Sequence, residues 1–215
     1  MIVDRVSRAL KASIRTLREE GVFGFIKKVV SFFFSYGIYY VYERATNNIE
    51  EIKFPPETKR YKVKIIHSLQ NLDKLEKEGY DLTMRNLKIG IKSGAVPFCI
   101  FSGKKMVHVT WAATNERAKK EIDRVPAKID FQNGEATSGG SFTDSLHRGK
   151  GLLAYVYFHI FPYLAKHGFR KIRFVIHVDN IASQRGVKRF SPRLVSKGRY
   201  LKILWLNLWK ELSLK

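Results

Sequence analysis

Cysteine is almost absent from this chain. The one present, Cys99, lies in the apolar run VPFCIF and reads as a small buried hydrophobe rather than a nucleophile. A lone thiol excludes an intramolecular disulfide framework and suits a reducing compartment. Six histidines and that cysteine show no paired-ligand spacing, so no metal site is expected. No apolar run reaches the ~20 residues that a spanning helix needs, the nearest being Val29 to Val41 at about 13. A cleaved secretory leader does not fit either, because charged helical residues continue through Glu20 and no small-residue cleavage site follows the apolar run. Neither GxxxxGK[ST] nor a GxGxxG opening a βαβ unit occurs, which removes the two commonest nucleotide loops. Acidic residues are scarce, 19 against 40 Lys and Arg, for a formal net charge of +21. That balance favours anionic partners.

What is present suffices for one core. The chain has 215 residues, 45% hydrophobic and 13% aromatic, which excludes wholesale disorder despite the charge. The prolines of KFPPETKR, Lys53 to Arg60, mark a boundary, dividing the chain into an extension over 1–54 and a body over 55–215. In the extension Val3, Val6, Leu10, Ile14 and Leu17 form one helical stripe, with Arg5, Arg8, Lys11, Arg15 and Arg18 largely on the other side. Together with the Phe- and Tyr-rich run after Lys28, this predicts an interfacial anchor on an anionic membrane surface. The alternative is that both segments pack on the body or on the partner of a homodimer.

The body alternates strand and helix patterns. A strand is predicted over Arg60 to His67, a charged helix over Asn71 to Tyr80, and a hairpin of Ala95 to Ser102 with Met106 to Ala113. Thr114 to Arg124 reads as a turn or short helix. Glu135 to Thr143 reads as a strand with a bulge at Gly139-Gly140. Next comes the glycine loop SLHRGKG, Ser145 to Gly151, opening an apolar helix that should bend at Pro162 and end at Gly168. Lys171 to Asp179 follows as a strand buried on both faces. Helix N-termini expose free N–H groups and a positive dipole end, and Gly149 and Gly151 let the main chain curl closely. The loop therefore suits a pyrophosphate.

Loop, helix and strand are followed by Asn180-Ile181-Ala182-Ser183, and this order resembles the GNAT (Gcn5-related N-acetyltransferase) acyltransferases. Their coenzyme loop is written Q/R-x-x-G-x-G/A, matched here by Leu146, Gly149 and Gly151 with the two glycine positions filled, and their later signature is N-x-x-A/S. The resemblance implies an α+β fold, a mixed and mostly antiparallel twisted sheet flanked by helices, with the strand before the loop and the strand after its helix splaying apart at the coenzyme. It implies acetyl-CoA or another acyl-CoA as acyl donor, no metal, and a small amine acceptor. Phe142, Thr143, His147, Arg148, Gly149, Lys150, Gly151, Leu152, Asn180 and Ser183 would hold the coenzyme. The tyrosine that many members carry seven residues after the asparagine is Val187 here, and the expected Gly-Phe pair is Ser191-Pro192. Glu135 leads as general base, with His177 and Asp179 as alternatives. The bland readings are a solvated strand end, a core histidine and a helix cap.

Residues 1–50 hold 8 Lys/Arg and 5 Asp/Glu, leaving 32 and 14 for the remainder, so the excess is +3 and +18. A polyanionic coenzyme accounts for part of it. Lys188, Arg189, Arg193, Lys197, Arg199 and Lys202 could meet its ribose phosphate or an anionic membrane. The rival from another class is a non-catalytic or RNA-binding basic protein on a degenerate fold of this kind, with Phe190, Tyr200, Trp205 and Trp209 as stacking platforms. No nucleic-acid motif supports it. The expectation is a cytoplasmic N-acyltransferase held peripherally at the membrane, acting on an amino sugar or other envelope precursor.

Overall fold

The computed structural model describes residues 34–47, 54, 58, 60–123 and 125–214. Their strands form one sheet of eight: β1 (Phe34–Ala45), β2 (Tyr61–Ile65), β3 (Val96–Ser102), β4 (Lys105–Ala113), β5 (Glu135–Thr143), β6 (Lys171–His177), β7 (Arg193–Ile203) and β8 (Leu206–Leu212). Their order is β2-β3-β4-β5-β6-β1-β7-β8. Every neighbouring pair is antiparallel except β5–β6. The helices are α1 (Leu69–Lys77), α2 (Lys88–Lys92), α3 (Glu116–Ile122), α4 (Leu152–Lys166) and α5 (Ile181–Lys188). The α+β class read from the sequence is the one observed. Among the described residues no helix is long and apolar enough to cross a membrane.

The two faces of the sheet are covered unequally. Phe98, Ile100, Ala112, Ala136, Ile172 and Phe174 turn to α4 and join its Val156, Tyr157, Ile160, Phe161 and Leu164 in the larger core. Cys99, Phe101, Val109 and Trp111 turn the other way, onto Leu72 and Leu75 of α1, Ile91 of α2 and Ala118 of α3. With helices on both sides, β3 and β4 read as nearly unbroken apolar runs. β6 was expected to be buried on both faces, but only Ile172, Phe174 and Ile176 are; Arg173, Val175 and His177 are half-buried on the thinly covered side. Burial pushes the Cys99 thiol well above its ordinary range, in keeping with an inert hydrophobe. α4 runs through Pro162 unbroken, although that residue donates no amide to its preceding turn.

The boundary at 54/55 does not divide the sheet. β1 lies on its N-terminal side and is hydrogen-bonded between β6 and β7. From Phe34 onward, then, the aromatic run is a strand inside the sheet and belongs to the same layer as the body. Its Phe, Tyr, Ile and Val are strand formers that fit a pleated surface. The basic amphipathic stretch Met1 to Gly21 lies outside the described residues.

Candidate functional site

The sheet opens between β5 and β6. Their parallel pairing is confined to Glu135↔Lys171, Ala136↔Ile172 and Thr137↔Arg173. Beyond it β5 follows β4, reaching His108↔Thr143, while β6 follows β1, reaching Tyr39↔His177. A bulge drives the divergence: Val109 pairs with Phe142 but Trp111 pairs with Gly139, leaving Gly140 at φ +60° beside the Trp111 ring. From Ser138 on β5 and Phe174 on β6, the main-chain groups that face the gap have no strand partner among the described residues. An extended chain with its own amides could pair with them.

The glycine loop closes one end of that gap. Asp144 starts it, accepting the Leu146 N–H at 3.0 Å and meeting Lys105 Nζ at 3.5 Å; that backbone hydrogen bond and the nearby Lys105 hold its carboxyl below the usual range. Gly149 and Gly151 have φ of +76° and +72°, in the left-handed region. A side chain at Gly149 would project into empty space, and one at Gly151 would come 3.5 Å from Arg189 Nη1. The first intrahelical hydrogen bond of α4 runs from Tyr155 N–H to Gly151 O at 3.0 Å, so the preceding N–H groups point out of the helix end. Arg189 lies at this end and Arg148 and Lys150 belong to the loop itself, and their charge with these donors suits a diphosphate.

The other expected coenzyme contacts divide into groups. His147 Nδ1 lies 2.9 Å from Tyr61 Oη. Partial burial and the nearby Lys150 hold its pKa down, so at neutral pH it is an uncharged member of the loop. Leu152 buries its side chain in the core and offers only its backbone. Phe142 is exposed under the Arg85 guanidinium. Thr143 Oγ1 is 2.7 Å from His108 Nδ1, turned into the sheet. That histidine continues through Nε2 to Thr110 Oγ1 at 2.8 Å, and Thr110 to Ser141 Oγ at 2.8 Å. Burial pushes His108 down to about 3, so it stays neutral within this relay. Asn180 caps α5, its Oδ1 accepting the Ser183 N–H at 3.1 Å. The cap is therefore Asn180 and not Asp179, and Asn180 and Ser183 shape the turn beside the gap.

The candidate bases are not equivalent. Glu135 sits at the closed end of β5, roughly 25 Å along the strand from the loop at ~3.3 Å per residue. It is buried, its Oε1 lies 3.1 Å from Arg173 Nη2, and its Oε2 accepts the Asp130 N–H at 2.8 Å. This is a structural ion pair that fastens the parallel end, and Glu135 is not positioned as a base at the gap. His177 and Asp179 do lie at the open end. His177 Nδ1 accepts the Asp179 N–H at 3.2 Å. The Asp179 carboxylate is exposed, 3.7 Å from the same nitrogen.

Two groups that the sequence reading missed flank the gap. On the α4 side, the buried Tyr157 ring packs on Phe174. Burial pushes its phenol up to about 12, against the opposing pull of the Ser138 and Ser141 hydroxyls. Val187 is buried beside it in the same core. On the opposite face Ile122, the last residue of α3, and Asp123 after it lie directly over the bulge: a side chain at Gly139 would lie 3.6 Å from Ile122 O and 3.8 Å from Asp123 Cβ. Asp123 Oδ1 accepts the Val125 N–H at 2.9 Å, and Lys119 Nζ donates to Val125 O at 2.6 Å. Desolvation raises the Asp123 pKa despite that hydrogen bond and the nearby Lys119. Asp123 belongs to a cleft of about 680 Å³ that runs between α3 and Tyr200, Lys202 and Asn207 of the β7–β8 hairpin. No sequence spacing marks Asp123, because the bulge and the crossing of α3 bring it there.

No protein-family model matches the sequence, and neither does any curated protein. Solved structures do. A structural-genomics Drosophila protein is similar over 84% of this chain and 58% of its own, at 10% identity and a TM-score of 0.51. A GCN5-related N-acetyltransferase from Kribbella flavida matches over 84% and 63%, at 11% identity and 0.48. A GCN5-related N-acetyltransferase-like protein from Streptococcus suis matches over 89% and 69%, at 10% identity and 0.48. The chain thus spans about three fifths of the length of the first two. The chain shares the fold of the Drosophila protein, and among the described residues its otherwise antiparallel sheet, whose one parallel pair splays beside a glycine loop, is the arrangement that the sequence resemblance to the GCN5-related N-acetyltransferases implies.

Proposed function

We propose that the protein is an acyl-CoA-dependent N-acyltransferase. The observation that carries this reading is the splay of β5 from β6 after three paired residues, opening beside the left-handed Gly149 and Gly151 at the head of a 15-residue helix. The site suits the donor part by part. The loop N–H groups with Arg148, Lys150 and Arg189 match a pyrophosphate, and the two freed strand edges match the amides of an extended pantetheine arm. When bound, acyl-CoA supplies a thioester whose carbonyl carbon an amine can attack.

The chain's own residues then have defined work. Main-chain N–H groups of Ser141 to Thr143 polarise a carbonyl lying in the gap. Asp123, on the face opposite α4, takes the proton of an ammonium group arriving through the cleft, in the place first read for Glu135; His177 is the second group within the same opening. The Tyr157 phenol remains protonated and can donate a hydrogen bond to a departing sulfur, which suits a chain with valine at position 187. A thiolate of pKa near 8.5 leaves without a strong acid. The basic amphipathic stretch over Met1 to Gly21 supports action at a membrane surface on an amino sugar or other envelope precursor.

Thermal denaturation tests the reading. Acetyl-CoA at ~100 times its dissociation constant should add roughly 2.7 kcal/mol and raise Tm by about 5–10 °C. Replacing Gly149 and Gly151 together by leucine fills the loop and should abolish that rise. Strain at positive φ will also lower the unliganded Tm, so the ligand-induced difference is the quantity compared. An undiminished rise in the double variant would reject the loop as the site.

A further inference from the structure

The outer end of the sheet carries an apolar face that no described element covers. By strand register, Phe34 stands opposite Ile203 and Tyr36 opposite Leu201 on one side, while Leu206 and Leu208 stand opposite the same two residues on the other. Paired residues share a face, so these side chains form one contiguous surface across β1, β7 and β8. Phe34, Tyr36, Leu206 and Leu208 are 51%, 58%, 54% and 50% exposed, and Trp205 at the hairpin tip is 79% exposed. An apolar patch of this extent marks a binding surface.

The tip is held in place rather than loose. Leu204 adopts φ +56°, in a two-residue turn whose first position ordinarily takes glycine. Asn207 fixes it, donating from Nδ2 to Trp205 O at 3.3 Å and accepting the Tyr200 hydroxyl at 2.7 Å. Strained backbone kept in place by its surroundings is a mark of function.

Charge identifies the occupant. The next residues of the same face, one register step further in, are Arg199 and Lys210, followed by Lys197; all three are exposed. The acidic residue of β8, Glu211, is on the opposite face, across from Gly198. An apolar tip bearing an indole, backed by a row of cations and free of carboxylates, is complementary to the interface of an anionic bilayer. We infer that this β1–β7–β8 face docks on anionic lipid, with Trp205 and its neighbouring leucines seated at headgroup depth. The position bears on function. β1 pairs with β6 only from Tyr39 onward, so Phe34 to Ile38 project past the end of β6 that carries His177 and faces the glycine loop. The open end of the sheet is thus turned toward the lipid, where a membrane-borne acceptor would lie. The inference deepens the membrane-surface part of the reading above and does not depend on acyl transfer.

Cosedimentation of the full chain with phosphatidylcholine vesicles, with and without phosphatidylglycerol, tests it. The wild type should pellet with the anionic vesicles and lose binding as salt rises. Trp205→Ser combined with Leu206→Ser and Leu208→Ser should weaken partitioning roughly tenfold or more, and Lys197→Gln with Lys210→Gln should lower binding to anionic vesicles alone. Circular dichroism and the acetyl-CoA-induced Tm rise should be retained in both variants, which separates failure of this surface from failure of the acyltransferase reading. Vesicles should shift tryptophan emission to the blue, and Trp205→Phe should remove most of that shift. The inference is overturned if the wild type does not pellet, if the triple variant binds as well as the wild type, or if the blue shift survives Trp205→Phe. It is equally overturned if light scattering shows a dimer that the triple variant abolishes while vesicle binding is unchanged, since the face would then join two copies.

Discussion

Replacing Glu135 by glutamine separates the two roles this residue can have. The structure makes it half of an ion pair with Arg173, with an N···O distance of 3.1 Å, at the one place where β5 and β6 run paired. Glutamine keeps the shape and an acceptor for the Asp130 N–H but removes the charge and turns an amide toward a guanidinium. Breaking a buried pair by removing one partner costs about 3–5 kcal/mol. Arg173 is partly solvent-exposed and keeps Glu43 at 3.5 Å, so the loss here should be lower, about 1–3 kcal/mol. For a chain of this size each kcal/mol moves Tm by about 2–4 °C, giving a fall of roughly 2–12 °C. Turnover per folded molecule at 25 °C should stay within about twofold, because no reacting atom is near. Scanning fluorimetry gives the first quantity. A chromogenic thiol assay of coenzyme release gives the second, undisturbed by the buried Cys99. Unchanged stability with turnover lost by orders of magnitude would refute the placement and return Glu135 to the chemistry.

Two further expectations follow from the site. Asp123→Asn should leave the acetyl-CoA-induced Tm rise intact while lowering kcat by ~10²-fold or more; because burial raises the Asp123 pKa, the wild-type rate should climb with pH through a midpoint above the ordinary aspartate range. A full-rate Asn variant would transfer the role to His177. His108 is held neutral, with its folded pKa depressed from 6.5 to about 3. Its contribution to stability is therefore present above pH 6.5 and lost as pH falls toward 3, on the order of 5 kcal/mol at 1.36 kcal/mol per pH unit. His108→Gln should flatten that limb of the stability–pH curve measured by urea denaturation, and an unchanged limb would assign it to other groups.

The sequence by itself determined the elements whose signals are local. β5 is observed over Glu135–Thr143 as read, and its bulge at Gly139-Gly140 is present, because paired glycines in a strand leave few alternatives. The loop, the helix behind it and the strand after it are likewise where periodicity and capping put them, since each is written in consecutive residues. Other features needed the tertiary structure. β1 was concealed because Phe34 to Val41 is apolar and aromatic at nearly every position, so the period that separates a strand from an interfacial segment is blurred until β6 and β7 supply its hydrogen bonds. β7 and β8 were concealed by alternating lysines and aromatics that suit a solvated edge as well as a nucleic-acid face. Glu135 and Asp123 show the limit most sharply. Both are single carboxylates with no telling neighbours in sequence. The parallel register assigns one to a structural ion pair at the closed end of the gap, and the crossing of α3 sets the other at its mouth. Charge and residue type are local properties, whereas distance from the open end of the sheet is fixed only by how the strands pair.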